Sequence, residues 1–317
     1  MKSVADILAN QSTPGFSIEV LPPIKGKSIN QLFADLDKLT AFHPLFVNIT
    51  THHSEPIFLP LADGNLRKMF VRRRPGTVAV ASAIQNRYNI PVVPHIICSG
   101  FSPEETEYVL IDLDFLGIHD LFLLRGDNDK ETFVPKNVSH QYASQLIEQV
   151  NNFNSGKSID GSDFEKPSTL FTFGVAGYPE KHAEAPNLKT DIDRLKQKVD
   201  MGADYVVTQL FYDNQKFYRF VDSAMSAGIS VPIIPGLKPL SRKKQLSVIP
   251  SVFGTEIPQS LVESISSASD DNEVKKIGQD FLLSQADDLI HHGVNCVHFY
   301  TLGAVDTICN VLSSLFK

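Results

Sequence analysis

A carboxylic acid stands inside an apolar run near the start of the chain: Glu19 in FSIEVLPP, flanked by Ile18, Val20 and Leu21 and closed by Pro22 and Pro23. Holding a carboxylate in such surroundings is costly, so the pKa should rise, which suits a general acid at neutral pH. A salt-bridged core glutamate is the plainer reading. Arg125-Gly126-Asp127 follows the apolar LFLL. On an extended chain residues i and i+2 point the same way, so Arg125 and Asp127 can address one ligand while Gly126 lets a flat group approach the backbone. A structural ion pair at a loop mouth is the alternative. His95 in PVVPHIIC reads first as a satisfied core histidine. The adjacent His52 and His53 diverge on an extended chain and no HxH pair accompanies them, so no metal site is expected. Arg72-Arg73-Arg74 reads as a solvated or subunit-contact run, or as a seat for a phosphate or carboxylate tail. Lys238 in PGLKPL is the candidate for a Schiff-base lysine and falls in a loop after Gly236.

The elements that must position these residues follow one recurring pattern. An amphipathic stretch ends in Gly, and a short apolar run begins a few residues later, as at Gly117, Gly202, Gly228 and Gly293. Gly past a helix end takes the left-handed conformation, and runs apolar on both faces fit strands of a buried parallel sheet. In NLKTDIDRLKQKVDMG, Leu188, Ile192, Leu195 and Val199 form one helical stripe. SPEETEYVLIDLDFLG opens with Ser102 as N-cap, Pro103 in the first turn and Glu105 as the capping-box partner. Strand runs fall at about 16–20, 45–50, 92–97, 120–124, 170–175, 204–208, 231–235 and 295–300, with a closing helix at about 304–315.

Eight βα units are the arithmetic of an α/β fold of the (β/α)8 TIM-barrel kind, in a single domain over 1–317 with long βα and αβ loops. Pro94 is an awkward residue for a central strand. Residues 51–75 and 152–168 do not alternate and read as the long loops, the second rich in Ser, Gly and Asp and so expected to be mobile. Active residues of such a barrel sit at C-terminal strand ends, here Glu19, Thr50, His95, Arg125 with Asp127, Tyr178, Gln209 and Tyr300.

Composition excludes several classes. The 317 residues carry 29 Lys+Arg against 36 Asp+Glu, a net charge of −7, which argues against a nucleic-acid binder. No apolar run is long enough to span a bilayer, and no signal peptide opens the chain, so no membrane partner and a cytoplasmic setting are expected. Three scattered cysteines, Cys98, Cys296 and Cys309, fit that compartment. No two glycines are separated by one residue, so a GxGxxG dinucleotide fold is absent and a nucleotide cofactor would have to bind the barrel mouth.

Several motifs, in order, resemble those of the methylenetetrahydrofolate reductases: FSIEVLPP, FVNIT, PHIIC, LLRGD, AGYPEKHAEA with DIDRLKQKVDMGADYVVTQLFYD, and HFYTL, together spanning residues 15–302. The resemblance implies a barrel that binds FAD non-covalently. NADH or NADPH would reduce the flavin, which would then reduce methylenetetrahydrofolate to 5-methyltetrahydrofolate, feeding methionine synthesis. By position it implies Glu19 as general acid, Asp127 near flavin and pterin, and Gln209 as a hydrogen-bond partner of pterin and nicotinamide. It places Thr50, Thr51, His95, Arg125, Gly126, Asp127, Tyr142, Ala143, Tyr178, His182, Ala185, Asp191, Arg194 and Lys198 at FAD contacts. Gln245 joins Glu19, Asp127 and Gln209 as a folate contact.

The chain departs from that pattern at Ala304, where some relatives carry Arg, at THHSEP after Thr50, and at Arg194 and Gln197. It resembles the short bacterial form, and a homo-oligomer is implied. The competing readings are another FAD barrel of the proline-oxidising kind, an inactive barrel serving as a partner subunit and, with less in its favour, a metal-dependent barrel hydrolase.

Overall fold

The computed structural model describes residues 1–126 and 134–316. The chain opens with α1 (Val4–Ala9), β1 (Gly15–Val20), α2 (Ile29–Thr40) and β2 (Val47–Ile49). A hairpin, β3 (Glu55–Pro60) and β4 (Leu66–Val71), precedes α3 (Thr77–Tyr88), β5 (Val92–Ile97), α4 (Pro103–Phe115) and β6 (Asp120–Leu124). Next come α5 (Ala143–Asn154), β7 (Thr172–Gly177), α6 (Leu188–Asp200), β8 (Tyr205–Thr208) and α7 (Asn214–Ser226). The short β9 (Ile233–Ile234) and β10 (Gly236–Leu237) lead to α8 (Gln245–Phe253), α9 (Gln259–Ser267), α10 (Asp271–His291), β11 (Cys296–Tyr300) and α11 (Val305–Leu315).

Nine parallel strands line up as β10-β11-β1-β2-β5-β6-β7-β8-β9. β9 and β10 are two halves of one strand position, divided at Pro235, whose carbonyl accepts from His298 N at 2.9 Å. One half pairs with β8 and the other with β11, so the broken strand closes the ring and the architecture is the expected TIM barrel. Alternation decides which residues enter it. On β1, Phe16, Ile18 and Val20 pack outward in the shell shared with Leu36, Ile308 and Leu312, which leaves Ser17 and Glu19 facing inward. The interior is packed by Phe46, Val93, Phe122, Tyr205, Val207 and Ile234, with Val4 of α1 in the same cluster. α1 is pinned there, since Val4 N donates to Asp120 Oδ1 at 2.8 Å. One end of the barrel is therefore plugged, and the strand tips at the other end are left for chemistry.

The strand positions follow the sequence pattern, and α4 shows the expected capping box between Ser102 and Glu105. Three details differ. The run expected at 170–175 is paired at Thr172–Gly177, because Asn154 engages both the N–H and the carbonyl of Phe171 before the strand starts. Residues 51–75 are not a structureless loop. β3 and β4 pair antiparallel from Glu55–Val71 to Pro60–Leu66, and Leu61 N donates to Asn65 O at 2.8 Å to close the turn. Neither strand alternates cleanly and the first holds two prolines, which hides the period-two signal. The 152–168 stretch, expected to be a mobile loop, begins as the last turn of α5 and is tied down beyond it: Glu107 accepts from Ser158 Oγ and Ile159 N, and Phe164 N donates to Gly156 O. Pro94 fits because pairing with β2 ends there and pairing with β6 begins at His95. Among the described residues no helix is long and apolar enough to cross a membrane.

α10 crosses the 238–241 segment at Gly278, where a Cβ would fall 1.9 Å from the Leu240 carbonyl oxygen. Because backbone cannot swing aside as a side chain can, Gly278→Ala should lower unfolding stability by about 1–3 kcal/mol. A urea titration showing no loss would mean that the two segments do not touch so closely.

Candidate functional site

Glu19 ends the inward row of β1 and is 8% exposed. Its backbone carbonyl accepts from Thr301 Oγ1 at 2.6 Å and from Thr301 N at 3.3 Å, fixing the strand tip against β11. Burial raises its carboxyl from 4.5 to about 7, against an opposing pull from the charge on Lys238. His95 Nε2 lies 3.7 Å from Glu19 Oε2, a separation short enough for an ion pair. Burial, with His298 and His52 nearby, lowers His95 to about 3, so its ring is neutral at pH 7 and supplies no counter-charge. The Asn48 amide meets the same ring nitrogen, with Nδ2 3.2 Å from His95 Nε2. Proximity here is not charge pairing.

A second neutral imidazole lies in the barrel. Burial lowers His298 to about 3, and its Nδ1 shares a proton with Ser17 Oγ at 2.8 Å. Tyr300 packs edge-on against His298 and donates its hydroxyl to Thr208 O at 2.7 Å. Asn48, Ser17 and His298 did not stand out in the sequence as site residues. Strand parity was the available signal, since 17 with 19 and 298 with 300 share a face. Lys238 follows β10 and is the cation felt by Glu19, while burial lowers its own pKa. That position gives it an electrostatic role beside the carboxyl.

A second group lines the rim on the β6–β7 side. Arg125 donates Nη1 to Glu184 Oε2, and that bond holds the glutamate below its usual pKa. The guanidinium carbon lies 5.7 Å from the Tyr142 ring centroid, and Arg125 Nε is buried without a hydrogen-bond partner. Gly126 has φ +79, and a Cβ there would meet Ile97 and Ser99 at 3.3 Å, so this turn requires glycine. Asp127 lies outside the described residues. Tyr178 packs edge-on to His182 at 4.8 Å, and His182 N donates to Asp191 Oδ2 at 2.9 Å. Lys198 reaches back along α6 to donate to Ala176 O at 2.7 Å. Burial lowers it to about 8, opposed by the charge of Asp191.

Ala185 is buried in the same loop, and its N–H donates to His182 O. Tyr142 caps α5, which Ala143 begins. Thr51 Oγ1 donates to His95 O at 2.5 Å, and Thr50 Oγ1 lies 3.3 Å from His52 Nε2. Gln209, just past β8, turns its Oε1 onto Leu210 N at 2.9 Å.

Arg194, exposed on α6, adds its charge to the second group, since it helps to hold Glu184 below its usual pKa. Gln245 Oε1 accepts from Ser241 N, Ser241 Oγ and Arg242 N, so this oxygen caps α8. Within the arginine run, Arg74 Nη1 donates to Pro22 O, and Arg73 lies 3.7 Å from Glu55. The run thus joins the hairpin to the tip of β1. Among the described residues no three His, Cys, Asp or Glu side chains gather as a metal site.

The sequence profile described as methylenetetrahydrofolate reductase matches residues 4–315. Methylenetetrahydrofolate reductase (NADH) 1 of Arabidopsis thaliana is 30% identical over 99% of this chain and 50% of its own length, so the chain spans about half of that relative. The 5,10-methylenetetrahydrofolate reductase of Escherichia coli K12 is 29% identical over 98% of this chain and 94% of its own. A solved structure, an uncharacterized protein from Clostridium thermocellum described as binding two copies of 5-methyl-5,6,7,8-tetrahydrofolic acid, superposes with TM-score 0.58 over 98% of each chain. At 13% identity, that likeness concerns the fold.

The Glu19 environment sets a pH signature. Unfolded, the carboxyl ionises near 4.5, whereas folded it keeps its proton to about 7. The folded state thus loses stability as pH rises through that window, by roughly 1.4 kcal/mol per unit. Glu19→Gln should match the wild type near pH 4.5 and exceed it by on the order of 3 kcal/mol at about pH 8. Denaturant titrations giving one constant offset across that range would contradict the raised pKa.

Proposed function

This chain belongs to the methylenetetrahydrofolate reductase family, and on that premise we propose that it reduces 5,10-methylenetetrahydrofolate to 5-methyltetrahydrofolate with NADH or NADPH as electron source and FAD as relay. The observation that carries the reading is Glu19, a carboxyl held near neutral at the tip of an inward strand row. The folate ligand described for the Clostridium thermocellum neighbour, which shares the barrel, is in keeping with it. The name of the plant relative favours a pyridine nucleotide as reductant. The product would feed methionine synthesis, and the cytoplasm and a homo-oligomer are the setting we infer.

The rim residues suit a flavin dinucleotide. Arg125 offers a buried unpartnered N–H, Lys198 a buried cation, and Gly126 a backbone free of side chain. Asp191 and His182 shape the adjoining loop. Bound FAD supplies two-electron hydride transfer between nicotinamide and folate. Arg125 and Lys198 would hold its phosphates and Tyr178 and His182 would border it, with Thr50, Thr51, His95, Tyr142, Ala143, Ala185 and Arg194 as further contacts. We assign Asp127 a place beside flavin and pterin, where its charge favours giving up electrons.

Glu19 donates its proton to the folate nitrogen that leaves as the five-membered ring opens. The ring-opened iminium carbon is then ready to accept hydride. A pKa of about 7 keeps much of the carboxyl protonated at neutral pH. Neutral His95 leaves that proton in place, where the positive charge of a protonated imidazole would have favoured the carboxylate. Lys238 stabilises the carboxylate left after transfer. Gln209 and Gln245 would be the further folate contacts.

Stopped-flow measurement of the two half-reactions tests this assignment. In Glu19→Gln, reduction of bound FAD by NADH should stay within a few-fold, while folate reduction falls by roughly 10²–10⁴. An equal fall in both halves would overturn the general-acid role. A chain that remains colourless after FAD is added would overturn the flavin reading itself.

A further inference from the structure

A third edge of the mouth carries charge that the assigned chemistry does not use. The β1–α2 loop and the β3–β4 hairpin meet there: Lys25 N donates to Arg73 O at 2.6 Å, and Arg74 Nη1 donates to Pro22 O, just past Glu19 in the chain. Residues 22–27 carry two cations and residues 55–74 five, against two acids, Glu55 and Asp63. In a chain of net charge −7 this is a local reversal of sign. Both acids are engaged already. Glu55 lies 3.7 Å from Arg73, and Asp63 accepts from Asn65 N and Asn65 Nδ2 in the hairpin turn. Lys25, Lys27, Arg67 and Arg72 are exposed, and among the described residues none of them forms an ion pair. The Arg72 guanidinium rests against Gly76, where a Cβ would come within 3.4 Å of Nη2. Backbone bonds thus hold Lys25 beside the arginine run, a crowding of like charge that an anion would relieve.

Position narrows what that anion is. In the ring β5 stands between β2 and β6, so this edge lies away from Arg125 and Lys198, the cations assigned to the FAD phosphates. It lies instead beside the strand that carries Glu19, which is assigned to the reacting end of the folate. Ile24, 52% exposed next to Lys25, adds apolar surface. Cations spread over two loops beside an apolar side chain suit an aryl group that ends in more than one carboxylate, and a folate ends in a benzoylglutamate.

We propose that Lys25 and Arg72, with Lys27 and Arg67 extending their field, seat the carboxylates of the folate's glutamyl tail and thereby set its affinity. The proposal rests on the folate reading and adds to it the residues that recognise the end of the substrate remote from the reaction.

Calorimetric titration of the whole chain, with FAD added, tests it. The two ligands are 5-methyltetrahydrofolate and its glutamyl bis-amide, in which both tail carboxylates are neutral. The folate should bind about tenfold tighter than the bis-amide, and the difference should shrink as salt is raised. Arg72→Glu and Lys25→Glu should each weaken the folate by about fivefold and leave the bis-amide unchanged. Lys2→Glu, the same change of charge at the plugged end of the barrel, should alter neither. Equal affinity for the two ligands, or variants that weaken both alike, would overturn the proposal and leave the folate reading standing. A chain that binds neither ligand would overturn both. Loss of affinity for NADPH in Arg72→Glu, with the folate unaffected, would assign this edge to a nucleotide phosphate and overturn the proposal as well.

Discussion

A carboxyl group that cannot be fully solvated stands at the centre of the proposed chemistry. Glu19 reaches the barrel interior because β1 alternates, and the ring of strands closes around it at Pro235. With 8% exposure the carboxylate loses most of its hydration, and desolvation outweighs the one cation that acts on it. Two nearby histidines contribute no charge, because burial keeps them neutral as well. A proton on His95 would turn the 3.7 Å contact into an ion pair and pull Glu19 back into the ordinary carboxylate range. The acid therefore depends on the neutrality of its neighbours, and that neutrality depends on the packed, plugged barrel beneath them.

The rim obeys a different balance. The Arg125 hydrogen bond holds Glu184 below its usual pKa, while Lys198, lowered by burial to about 8, sits under the opposing charge of Asp191, and this border suits the anionic cofactor we propose. A net charge of −7 thus coexists with cations concentrated where one is needed. The proposed site thus has two halves at the strand tips: an apolar seat for a carboxyl, and a polar border suited to the proposed cofactor.

Much of this was legible in the sequence. The Gly-terminated helices and the apolar runs located every barrel strand, because a parallel barrel buries both faces of each strand and leaves long unbroken signals. Glu19 was legible for the same reason, as a lone carboxyl in such a run. The hairpin was not, since its prolines and its exposure on both sides blur alternation. The partners of Glu19 were legible only in part. Asn48 and His298 lie far from it in the chain and are joined to it by strand register, and Lys238 looked like a loop lysine until closure of the barrel brought it to the mouth. Gln245 and Arg74 show the converse. The resemblance placed Gln245 at a folate contact and residue type offered the arginine run as an anion seat, and the structure adds what neither showed: the Gln245 oxygen caps a helix and the Arg74 guanidinium holds Pro22 O.

The protonation state of Glu19 is the centre of this account, and it can be observed directly. Infrared difference spectra of the wild type against Glu19→Gln, recorded across a pH titration, isolate the C=O stretch of the protonated carboxyl. The account requires that band to persist through mildly acidic pH and to fade with a midpoint of about 7. A midpoint near 4.5, the value of a solvated glutamate, would show that the mouth does not hold the proton and would contradict it.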